Sequence, residues 1–142
     1  MKKIIFVCLG NICRSPMAES LGQFYLMEKG LTKDYQLSSR ATSSYEIGKP
    51  PHHGTQNILR QHHIPLVPHQ ATQITSADFL TADVILGMDR QNVADLRKLA
   101  PAKTIAQISL LLPEEEIPDP YYTGNFAETY RLIKKALPAW LQ

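Results

Sequence analysis

The chain has 142 residues, 44% of them hydrophobic and 20% charged, with a formal net charge of +2. That is the balance of a globular domain with a real core, and it excludes intrinsic disorder, a nucleic-acid-scale basic charge and any bilayer-spanning run of about 20 apolar residues. Residues 1–70 carry eight Lys/Arg against four Asp/Glu and residues 71–142 seven against nine, so the first half is mildly basic and suits an anionic substrate.

In chain order, Ile4 to Val7 is an apolar run fit for a strand buried on both faces of a parallel sheet. Lys2 and Lys3 ahead of it imitate a signal peptide, but Gly10, Asn11 and Arg14 interrupt the run, so a cytoplasmic location is expected. Leu9 to Cys13 is a short loop whose Gly10 and Asn11 tolerate positive φ. Ser15 and Pro16 read as N-cap and first residue of a helix running to Lys29, with Gly30 as its stop. Tyr35 to Thr42 is a second strand, Ser43 to Pro51 a Gly/Pro-punctuated loop, and Gly54 to His63 a helix. The span from Thr75 to Asp78 has the form of a capping box opening a brief helix. Ala82 to Met88 is a third buried strand, and Asp89 caps a helix with Val93, Leu96 and Leu99 inward. Lys103 to Ser109 is the fourth strand, and Leu110 to Tyr122 a long surface loop. A last helix over Asn125 to Leu141 buries Phe126, Tyr130, Ile133, Leu137 and Leu141. Strands alternating with helices imply one α/β domain over residues 1–142, a four-stranded parallel sheet in a three-layer α/β/α arrangement.

The first loop carries the chemistry. A strand feeding a five-residue loop and then a helix N-terminus aims backbone N–H groups and a positive dipole end at one point, an anion site. Cys8 lies at its base, where the same field stabilises a thiolate, and Arg14 adds a fork for two phosphate oxygens. Nucleophile, donor nest and clamp suggest phosphoryl transfer from a monoester to sulfur. Such a step needs an acid for the leaving oxygen, and Asp119, braced by Pro118 and Pro120, is the best candidate. The only cysteines are Cys8 and Cys13. Two readings of Cys13 stand open, a redox partner that shields Cys8 and a small buried hydrophobe. His52-His53 and His62-His63 lack carboxylate support and read as surface residues, so no metal is expected.

The nine positions from Cys8 to Pro16, Cys-Leu-Gly-Asn-Ile-Cys-Arg-Ser-Pro, resemble the signature of the low-molecular-weight protein tyrosine phosphatases. The segment from Asp119 to Tyr122, Asp-Pro-Tyr-Tyr, matches that family's general-acid motif, and Ser38 to Pro51 resembles its substrate-lip loop. The resemblance implies a cofactor-free monomer that hydrolyses phosphotyrosine in proteins through a phosphocysteine on Cys8, releasing inorganic phosphate, which also inhibits. It further implies a phosphate loop of Cys8, Leu9, Gly10, Asn11, Ile12, Cys13, Arg14 and Ser15, with Asp119 as acid and then base. Tyr45 would line one wall of an aromatic slot and Tyr121 and Tyr122 the other. Asn11 would brace the loop with Ser39 and His69 as partners, and Ser15 would donate to Cys8. Two departures are visible. Thr72 stands where an arginine is common, removing an ion pair to the Met88–Asp89 turn, and Thr123 separates the tyrosines from Gly124. A thiol-based arsenate reductase on the same fold would need further cysteines after Cys13, and there are none. A phosphate-binding module would need no acid.

Overall fold

The structure, a computed structural model, describes residues 1–142. β1 (Lys2–Cys8) is the strand on which it is built: Ile4 to Val7 are fully buried, each contributing about 1.5–3 kcal/mol by removal from water. Strand alternation sorts them, with Ile4, Phe6 and Cys8 in one hydrophobic cluster and Ile5 and Val7 in another. β2 (Tyr35–Ala41) pairs parallel to one side of β1 and β3 (Val84–Gly87) to the other, and β4 (Gln107–Leu110) pairs parallel with β3. The sheet order is β2-β1-β3-β4. The chain therefore reverses direction across the sheet at β1, the kind of switch point where α/β sheets bind ligands.

On one face of the sheet lie α1 (Arg14–Lys29) and α6 (Phe126–Trp140), with α2 (His53–Gln61) packed against both. α3 (Ser76–Thr81) and α4 (Arg90–Leu99) cover the other, with Phe79 and Leu96 buried against Ile5 and Ile85. Thr75 and Asp89 close complete capping boxes with Asp78 and Asn92. α5 (Pro120–Thr123) is a single turn between β4 and α6. No helix is long and apolar enough to cross a membrane.

Several expectations change. α1 begins at Arg14 rather than Pro16, because Ser15 is buried and its hydroxyl is engaged by Cys8 and Asn11 instead of capping. β4 is shorter than Lys103 to Ser109 and starts at Gln107, where β3 first offers a partner at Val84. Leu99 is 48% exposed at the helix end, not inward. The stretch after β4 is no plain surface loop, since Leu111, Leu112 and Ile117 are buried and Asp119 caps α5. Of the two loop residues able to take positive φ, only Asn11 does so, at +60°.

Gly54 sits so close to the Phe126 ring that a Cβ there would collide with it. Gly54→Ala is expected to cost about 1–3 kcal/mol by overpacking, read as a lower urea midpoint at unchanged m-value.

Candidate active site

Cys8 ends β1, Asp89 follows β3, and Asp119 follows β4 by way of a segment anchored by buried Leu111, Leu112 and Ile117. All three therefore gather at the carboxyl edge of the sheet. Cys8 is 3% exposed, and its sulfur lies 3.1 Å from Ser15 Oγ and 3.3 Å from the Asn11 N–H that donates to it. The backbone N–H groups of Leu9, Gly10, Ile12, Cys13, Arg14 and Ser15 donate to no acceptor in the protein. Buried amides are almost always paired, so these six are a set of donors held for an anion at the start of α1.

A loop with so many free amides needs bracing from elsewhere, and Asn11 supplies it. Its Nδ2 donates to Ser15 Oγ (2.7 Å) and Ser39 Oγ (3.1 Å), and its Oδ1 accepts from the Thr72 N–H (2.9 Å). Its carbonyl meets His69 Nε2 at 2.7 Å. Ser39 in turn donates to Glu19 (2.6 Å), whose carboxyl is raised above its ordinary value by burial against the lowering effect of that bond. Because Ser15 Oγ already accepts from Asn11, its own hydrogen is left for the Cys8 sulfur or, more distantly, the Arg40 carbonyl at 3.4 Å.

Arg14 is 2% exposed and clamped in place. Nη1 donates to Asp89 (2.7 Å) and the Ile117 carbonyl (2.9 Å), Nη2 lies 3.3 Å from Asp119, and Nε has no partner. Burial opposes its charge, but Cys8, the Asp89 hydrogen bond and Asp119 together raise it above the ordinary arginine range. Asp119 also accepts from the Tyr121 N–H at 3.0 Å, so the loop's acid is fixed at both oxygens. Burial first, then the charges of Cys8 and Asp119, push the Cys13 thiol up to about 12, and neither cysteine is in a disulfide.

A cavity of about 150 Å³ opens over the sulfur, with Cys8, Ile12 and Asp119 in its lining and Tyr45, Tyr121 and Tyr122 on its rim. The three tyrosines are 78, 55 and 75% exposed, so their rings form an open mouth to a buried floor. Thr72 makes no ion pair, and the Asp89 carboxylate is taken by Arg14 instead. Thr123 Oγ1 accepts from the Asn125 N–H, and Gly124 at φ +72° ends the turn.

Sequence reading missed four participants. Asp89 read as a helix cap and as part of a turn left without its family ion pair, not as a partner of Arg14, though its place after a strand beside β1 was a usable signal. Glu19, one helical turn beyond Ser15, and Glu46, which lines the cavity, carried none. His52, read as a surface residue, is half-buried. Its N–H donates to the Ile12 carbonyl (2.7 Å), its Nδ1 caps α2 and its ring stacks on Phe126.

Residues 3–142 match the family model described as low molecular weight phosphotyrosine protein phosphatase. The low molecular weight protein-tyrosine-phosphatase YfkJ of Bacillus subtilis is 43% identical over 140 residues, covering 94% of this chain and 90% of that protein. The human low molecular weight phosphotyrosine protein phosphatase is 41% identical over 150 residues, covering 99% and 94%. The crystal structure of the low molecular weight protein tyrosine phosphatase SP-PTP from Streptococcus pyogenes superposes with a TM-score of 0.91 at 44% identity, covering 99% and 91%.

The raised Cys13 thiol has a pH signature. Unfolding lets it ionise near 9.0, whereas the folded value is about 12, so its stability contribution is complete below pH 9 and is lost as pH rises toward 12. Urea titrations between pH 8.5 and 11 are expected to fall more steeply for the wild type than for Cys13→Ala, by up to about 1.4 kcal/mol per pH unit.

Proposed function

The chain belongs to the low molecular weight phosphotyrosine protein phosphatase family, and on that premise we propose how its residues perform the hydrolysis. The observation that carries the reading is the set of six free loop amides around a buried cysteine sulfur, with the unpartnered Nε of Arg14 beside them. Cys8 attacks phosphorus and the bond to the ester oxygen breaks, while Asp119 gives that oxygen a proton. The loop amides and Arg14 hold the oxygens that gather charge in the transition state. Asp119 then takes a proton from water as the water attacks phosphocysteine, releasing inorganic phosphate and the free Cys8. Ser15 holds its hydrogen on the sulfur, and Asn11, Ser39 and His69 keep the loop in shape.

Phosphotyrosine in proteins is the substrate class. A sulfur on the floor of the cavity with aromatic rings at its mouth favours a long planar ester over a short phosphoserine. Tyr45 on one side and Tyr121 and Tyr122 on the other would flank the substrate ring. Residues 1–142 act as one phosphatase domain and as a monomer, as the family resemblance implies. Two unpaired thiols in the phosphate loop support a cytoplasmic setting. They leave Cys13 as a protonated thiol at neutral pH, available as a redox partner only if Cys8 is oxidised first.

Cys8→Ser is expected to abolish aryl phosphate hydrolysis while still binding phosphate or vanadate, and full activity in that variant would overturn the mechanism. Asp119→Ala is expected to lower kcat by roughly 10²–10⁴ for esters with poor leaving groups, with a smaller loss for good ones. An equal kcat for both kinds of ester would move the acid elsewhere.

A further inference from the structure

β4 is an edge strand, hydrogen-bonded to β3 alone. The N–H groups of Gln107 and Leu111 donate to Asp83 and Gly87 on the β3 side. Alternation along a strand then turns the N–H and C=O of Ile108 and Leu110 outward, away from any other strand. A groove of about 590 Å³ runs over this edge. One wall is α4, with Arg90, Val93 and Arg97, and the other is Trp140 at the end of α6, with Ser109 and Leu110 between them. α4 and α6 cover opposite faces of the sheet, and the groove between them is lined by Gln107, Ser109 and Leu110 of this outer strand. It shares no residue with the cavity over Cys8.

The groove's charge is one-sided. Two guanidiniums line it and no carboxylate does. Arg97 is in no ion pair, while Arg90 is 80% exposed and meets only Glu116, at 3.5 Å. The Trp140 indole is already committed, Nε1 donating to the Leu111 carbonyl at 2.8 Å, so its ring stands fixed as an apolar surface.

We propose that this edge is a docking site for an extended, acidic segment of a partner protein, which adds a fifth strand to the sheet. The chemistry selects that occupant. Outward N–H and C=O groups at every second residue, about 6.6 Å apart, are matched by a peptide backbone. A nucleic acid or free phosphate would satisfy the arginines and leave the strand unread. A second copy of the chain would bring the same cations together across the new pairing. Carboxylates on the docked segment meet Arg90 and Arg97, and an apolar side chain lies on Trp140.

The test is a titration of the full, ¹⁵N-labelled chain with the acetylated, amidated peptide Glu-Val-Glu-Val-Glu-Val, with its lysine counterpart Lys-Val-Lys-Val-Lys-Val as control. Binding is expected to shift the Ile108, Leu110 and Trp140 indole signals and to slow hydrogen exchange at the Ile108 and Leu110 amides. Arg97→Glu, and separately Arg90→Glu, is expected to weaken it about tenfold or more, the loss of about one charge pair, while aryl phosphate turnover is unchanged. Turnover without the peptide separates a failed docking site from a failed phosphatase. Four results would overturn the proposal: equal binding of the lysine peptide; shifts confined to the loop between Cys8 and Ser15; arginine shifts without slowed exchange at Ile108 and Leu110; or self-association of the free protein through this edge.

Discussion

A loop that keeps its amides free for a ligand cannot hold its own shape with backbone hydrogen bonds. In this protein the loop's carbonyls accept from the Thr42, Ser43 and His52 N–H groups and the Thr55 hydroxyl, and the rest of the bracing comes from one buried residue, Asn11. Between its backbone and its amide it makes five hydrogen bonds, to Cys8, Ser15, Ser39, Thr72 and His69. The residue itself adopts a left-handed backbone at φ +60°, a conformation that asparagine tolerates better than most side chains do. Those bonds tie the phosphate loop to β2 and to the segment that precedes α3. The sheet and the segment around it thus set the shape of a loop that contributes almost nothing to its own rigidity.

The same economy governs Arg14. A guanidinium buried to 2% exposure is costly unless its donors are used, and three of its contacts come from the turns after β3 and β4. Asp89 and the Ile117 carbonyl hold one end of the fork, which leaves Nε and the side toward Asp119 facing the sulfur's surroundings. Arg14 and Asp119 are therefore one assembly: the ion pair that orients Arg14 also fixes where Asp119 stands. Asp119 owes its other restraint to the N-terminus of α5, whose first residue is Pro120.

Much of the site was legible because it is contiguous. Cys8 to Ser15 lie on one short stretch, and the strand before and helix after it follow from local apolar pattern and residue type. Asp119 was legible for a different reason: its flanking prolines alone mark a turn, and the match of Asp119 to Tyr122 with the family's general-acid motif is what singles it out. The α4 cap at Asp89 was also visible, but its second role was hidden, because pairing with Arg14 spans 75 residues. His52 failed for a related reason: its half-burial is produced by Phe126 and Tyr121, which no local pattern places beside it. The length of β4 and the exposure of Leu99 were likewise set by neighbours, β3 in one case and the helix end in the other.

The sequence by itself therefore determined the parts of the proposed chemistry: a cysteine in an anion-binding loop, an arginine, an acidic side chain and the alternation of strands and helices. These depend on residue type and on distances of a few residues along the chain, which local sterics and periodicity control. Only the tertiary structure decided which groups brace that chemistry and which way they point. The Asn11 partners on β2 and before α3, the Asp89–Arg14–Asp119 chain and the groove over the β4 edge all depend on the register and order of strands. Strand register is fixed by the packing of two whole helical layers, and no single segment contains that information.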